Sequence, residues 1–124
     1  MGKLSFFVQG EPRPKQSFRY SGRGGGYTAA PIKAWQDAVA WEAKIAMKGM
    51  DMLSGNLSVT MVFKLGNKRR VDLDNLSKAV LDAMNGVVYE DDTIVCKLDL
   101  YKYVANKDTY TGVTVLVDTM EVEK

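Results

Sequence analysis

From Leu57 to Leu65 the chain alternates: Leu57, Val59, Met61, Phe63 and Leu65 fall on one parity, with Ser58, Thr60, Val62 and Lys64 between them. Successive strand side chains point to opposite faces, so the pattern predicts a strand with one buried face. The shorter run Leu4-Ser5-Phe6-Phe7-Val8 predicts a first strand. Residues 31 to about 48 carry Ile32, Trp35, Val39 and Ala46 near helical spacing. Pro31 suits the first helical position and Gly49 the stop. A second helix is predicted to open at Asp72 or Asp74 and to close at Asn85-Gly86. Its apolar stripe is Leu73, Leu76, Val80 and Met84, while Asn75, Lys78 and Asp82 share another face. Ile94, Cys96, Leu98 and Leu100 alternate as a third strand. Residues 105–108 read as a turn, and Val113, Val115 and Val117 mark a fourth strand, so the last two strands read as a hairpin. The order β-α-β-α-β-β predicts an α+β fold: one domain over residues 1–124, a four-stranded mixed sheet and two helices.

Composition narrows the chemistry more than the fold. A chain of 124 residues is long enough for one domain with a real core. It has no run of about 18 apolar residues, which argues against a membrane span. Residues 1–10, with one lysine and interspersed polar residues, are not patterned as a signal peptide. The single cysteine, Cys96, cannot form an internal disulfide, which fits a reducing compartment; its alternation with Ile94 and Leu98 predicts a buried small hydrophobe. Trp35 and Trp41 are both expected in the core. There is no histidine, which removes His general bases, Ser-His-Asp triads and Cys/His zinc sites.

The net charge of +2 hides an asymmetry. Residues 1–70 hold 12 Lys/Arg against 4 Asp/Glu, and residues 71–124 hold 5 against 11. A basic half attracts phosphate and an acidic half holds cations, unless folding intermixes the two on the surface. The basic half includes a glycine-rich loop, residues 10–28, with Arg13, Lys15, Arg19 and Arg23 among Phe18, Tyr20 and Tyr27. So many glycines and so little apolar periodicity argue for a mobile segment. It reads either as an arm over a nucleic-acid backbone, its aromatics stacking on bases, or as a surface loop with its aromatics tucked down.

The chemistry concentrates in Asp72-Leu73-Asp74-Asn75-Leu76-Ser77-Lys78, which follows Lys68-Arg69-Arg70 and is answered by Asp91-Asp92. Mg²⁺ takes hard oxygen ligands and keeps several waters, so two or three carboxylates and a substrate phosphate suffice. Such an ion polarises phosphoryl oxygens and lowers the pKa of bound water. Either acidic pair alone has an ordinary explanation, because Asp caps helices and populates turns. Both pairs together, behind a basic run, favour a metal site working on phosphate, and so a nuclease. Lys78, four residues after Asp74, is either an i,i+4 ion-pair partner or a cation beside the reacting phosphate. Asn75 either orients a carboxylate or caps the helix. The basic run is either a solvated loop or the element that draws a polyanion onto the metal.

At Asp72-x-Asp74-Asn75-x-x-Lys78-x-x-x-Asp82-x-x-x-Gly86, followed by Asp91-Asp92-x-x-Val95, the chain resembles the RusA family of Holliday junction resolvases. Arg69-Arg70 and Gly10-x-Pro12-x-Pro14-Lys15 are similar too, and the likeness covers essentially the whole chain. The resemblance implies a small homodimeric endonuclease, Mg²⁺-dependent with Mn²⁺ as a substitute, that nicks two opposing strands of a four-way DNA junction. It implies no small-molecule cofactor and a place in a bacterial cytoplasm, with a phage or prophage as source. Carried over by position, Asp72, Asp74 and Asp92 are the catalytic carboxylates and metal ligands, with Asp91 the alternative to Asp92, and Lys78 is the catalytic lysine. The DNA-binding candidates are Arg13, Lys15, Arg19, Arg23, Lys68, Arg69 and Arg70, with Asn75 in support. The glycine-rich loop departs from the family pattern, having no run of asparagines after the prolines, which bears on junction grip. Rival readings are a non-catalytic nucleic-acid-binding module with a structural acidic cluster, a nuclease for flaps or other branched DNA, and a protein in which a divalent ion only holds a loop.

Overall fold

A computed structural model describes residues 3–15, 30–68, 70–106 and 110–120. Its elements are β1 (Leu4–Gln9), α1 (Ala30–Ala46), β2 (Leu57–Leu65), α2 (Leu73–Met84), a 3-10 turn (Asp92–Ile94), β3 (Val95–Val104) and β4 (Gly112–Thr119). The α+β class, the two helices and the four-stranded mixed sheet are as the sequence predicts.

The sheet order is β1-β4-β2-β3. β2 pairs antiparallel with β4 and parallel with β3, and α2 makes the crossover that a parallel pair requires. The third and fourth strands are therefore not a hairpin. β4 passes β3 and inserts between β1 and β2, antiparallel to both. The cause is burial: Val113, Val115 and Val117 lie opposite Phe63, Met61 and Val59 on one side and Val8, Phe6 and Leu4 on the other. A strand with three valines on one face gains more from a central position than from an edge beside β3, whose side chains are mostly exposed. Of the expected turn at residues 105–108, Lys107 and Asp108 lie outside the described residues. Ala105 still donates to the Leu65 carbonyl at 2.8 Å, which prolongs the β2–β3 ladder.

Gly112 apart, the buried strand residues share one sheet face, and both helices cover it. Trp35, Val39 and Ala43 from α1 and Leu76, Ala79, Val80 and Met84 from α2 join them in one core, with Met47, Val88 and Tyr89. Two expectations of burial fail at its margins. Cys96 is exposed, because β3 is an edge strand that little covers. Its thiol reaches the Leu57 carbonyl at 3.4 Å. Trp41 is 63% exposed, whereas Trp35, six residues earlier on α1, is buried. Six residues is well over one and a half turns, so the two rings leave the helix on different faces. Ile94, expected in the third strand, lies in the 3-10 turn before it.

Candidate active site

α2 positions most of the acidic site. Asp72 occupies its N-cap position with extended backbone, but its side chain makes no capping hydrogen bond. The ordinary explanation for an aspartate there is thus not in use, and the carboxylate is left for other partners. Asp74 sits in the first turn and pairs with Lys78 at 3.2 Å across one turn of helix. Asn75 lies inside α2 and so is not its cap. Its carbonyl accepts the Lys15 amide at 2.8 Å, and the Lys15 ammonium meets Asp82 at 2.5 Å. The N-terminal segment is therefore fastened to α2 at two points.

Lys78, Asp82 and Asp92 line one open cleft of about 340 Å³, together with Leu81, Val95 and Leu98. Asp91 turns elsewhere, into a separate cleft with Glu90, Met52 and Leu53. Beneath the acidic groups Tyr89 is fully buried and donates its hydroxyl to the Leu81 carbonyl at 3.0 Å. Burial pushes its phenol well above the ordinary tyrosine range, and the negative charges of Asp92, Asp82 and Asp91 push it further.

The structure thus gathers Lys78 and Asp92 at one cleft, with Asp74 bonded to the same lysine. It adds Asp82 and Tyr89, which the sequence reading gave no role. Asp82 carried a signal, its helical spacing from Lys78; Tyr89 carried none. Among the described residues no three carboxylates come close enough to hold one cation together. The donors have the oxygen-only chemistry that Mg²⁺ prefers, but as placed they do not close around an ion, since Lys78 holds Asp74 and Lys15 holds Asp82. Of the basic candidates, Lys68 and Arg70 are exposed on the loop before α2, Arg13 is half-buried, and Lys15 is taken up by Asp82. Arg19, Arg23 and Arg69, like the aromatics Phe18, Tyr20 and Tyr27, lie outside the described residues.

Hydrolysing a phosphodiester without histidine asks for carboxylates, a cation near the phosphate and a basic approach. Comparison with known proteins places the chain in the class that does this chemistry: it is a nuclease. The family model described as Endodeoxyribonuclease RusA matches residues 9–117, which is most of the chain, and the chain belongs to that family. A curated relative, the crossover junction endodeoxyribonuclease RusA of Aquifex aeolicus (strain VF5), is 29% identical over 97 residues, covering 76% of each chain.

Proposed function

We propose that this protein resolves four-way DNA junctions by paired, symmetric nicks, working as a homodimer and requiring Mg²⁺, for which Mn²⁺ substitutes. Its place is then a bacterial cytoplasm, with a phage or prophage as source. The observation that carries the reading is the position of Lys78, bonded to Asp74 and lining the cleft that Asp92 enters. In this reading Asp72, Asp74 and Asp92 are the acidic set and Asp91 stands outside it. Lys78 supplies positive charge to a phosphate in the cleft as negative charge develops on it. Arg13, Arg19, Arg23, Lys68, Arg69 and Arg70 serve the DNA backbone, Lys15 fastens the N-terminal segment to Asp82, and Asn75 supports through its carbonyl. Four-way junctions have two-fold symmetry and one chain carries one acidic site, so a C₂ dimer is the simplest way to make two matched nicks.

The test incubates the protein with a synthetic four-way junction or a matched duplex, in Mg²⁺ or EDTA, beside Asp74→Asn and Lys78→Ala. Expected are paired nicks in the junction alone, only with Mg²⁺, and binding without cutting by Asp74→Asn. The exposed Lys78–Asp74 pair is worth only about 0.2–0.5 kcal/mol, so Lys78→Ala should fold normally yet lose roughly 10²-fold or more in cutting. Binding without cutting in any divalent ion would establish the non-catalytic module instead. Equal cutting of flaps or duplex would remove the junction preference.

A further inference from the structure

Beyond the two acidic clefts, the described residues form a further cavity of about 240 Å³ at the far end of β3, with Leu65 and Val104 in its wall. Lys68 and Arg70 from the loop before α2 line it, with Asn67, and β3 contributes Lys102 and Tyr103. We propose that this cavity holds a backbone phosphate of the bound DNA, and that Lys102 and Tyr103 are DNA-contacting residues alongside Lys68 and Arg70. The inference rests on the DNA-cleaving reading above and adds where the strand is gripped.

Three observations carry it. First, three cations gather on one cavity, with the nearby Glu11 carboxylate turned to the Gly66 amide at 3.0 Å. Three positive charges on one cavity repel one another, and an anion relieves that repulsion. Second, Lys102 is anchored. Its ammonium donates to the Val71 carbonyl at 2.7 Å, which fixes the long side chain and leaves two of its three N–H bonds for an incoming phosphate. Arg70 brings a planar fork suited to two phosphate oxygens. Third, the anchor residue adjoins the acidic site. Val71 immediately precedes Asp72, so a phosphate held here lies beside the start of α2, the helix that bears Asp74 and Lys78. Tyr103, 53% exposed at the cavity wall, offers a ring face to a neighbouring sugar or base.

The test measures junction affinity against salt concentration in EDTA for the wild type, Lys102→Gln, Arg70→Gln and Lys33→Gln. Each lost phosphate contact lowers the slope of log K against log salt by about one, which near 0.1 M salt is about a tenfold loss of affinity. Lys102→Gln and Arg70→Gln should each show that loss. Lys33→Gln, which removes an equal charge from α1, should show none. Unchanged affinity and slope in both cavity variants, with a wild type that binds, overturns the inference, as does an equal loss in Lys33→Gln. Should Lys102→Gln fail to fold for want of its Val71 bond, Tyr103→Ala decides in its place: weakened binding supports the inference and unchanged binding overturns it. A wild type that binds no junction at all refutes the functional reading itself, a separate outcome.

Discussion

Tyr89 shows how a single side chain ties the core to the site. Its ring fills the core, its hydroxyl bonds the Leu81 carbonyl, and Asp92, Asp82 and Asp91 stand near enough to oppose its ionisation. A raised phenol pKa means that the folded state favours the neutral form. The resulting stabilisation is complete below the ordinary tyrosine pKa of about 10 and drains away as pH climbs beyond it. The wild type should therefore lose stability steeply above about pH 10. Tyr89→Phe should be weaker by about 1 kcal/mol at neutral pH, through the unpaired Leu81 carbonyl, yet flatter in the alkaline range. Urea unfolding of both proteins at neutral pH and above pH 10 checks this. Parallel pH profiles would show that Tyr89 titrates no differently folded than unfolded.

At the scale of elements, β4 sets the tolerances. Gly112 opens it with φ +152°, in a region that favours glycine, and a Cβ there would run into the Val8 carbonyl oxygen and meet the Phe7 ring at 2.8 Å. Gly112→Ala should cost about 2–4 kcal/mol from strain and forced displacement of β1. A loss under about 1 kcal/mol in chemical denaturation would mean that β1 and β4 separate easily at this end. Nothing in the sequence announces that contact, because it depends on which strands are neighbours. β2 was legible because alternation is a local signal and its inward residues are buried without exception. The order of the strands was not, because the valines of β4 state only that one face is buried and not against what. The same lack misplaced Cys96: its alternation is real, but an edge strand gives it little cover. The site divides likewise. Asp74 and Lys78 were readable from helical spacing, whereas the Lys15–Asp82 bond joins residues 67 positions apart and had no local trace. The basic cavity was half readable. Lys68 and Arg70 stand in an obvious cationic run, but Lys102 joins them only because β3 lies parallel to β2.

Across the whole molecule, the features assigned to cutting crowd onto α2 and its flanks, and one chain offers one Lys78 between Asp74 and the Asp92 cleft. Resolution of a junction requires two cuts, on strands related by two-fold symmetry. A monomer acting twice must release a half-cut junction between events, whereas a C₂ dimer presents both sites at once. The two schemes part when active and inactive chains are mixed. Co-expression of wild type with a differently tagged Asp74→Asn, followed by tandem purification, isolates dimers with one working site. These should nick one strand of a junction and leave the opposing strand intact, and their sedimentation mass should equal two chains. Wild-type dimers under the same conditions should convert junction directly to two linear duplexes. Mixed dimers that still complete both cuts at the wild-type rate, or a protein that sediments as one chain while resolving normally, would place both cuts within the reach of a single site.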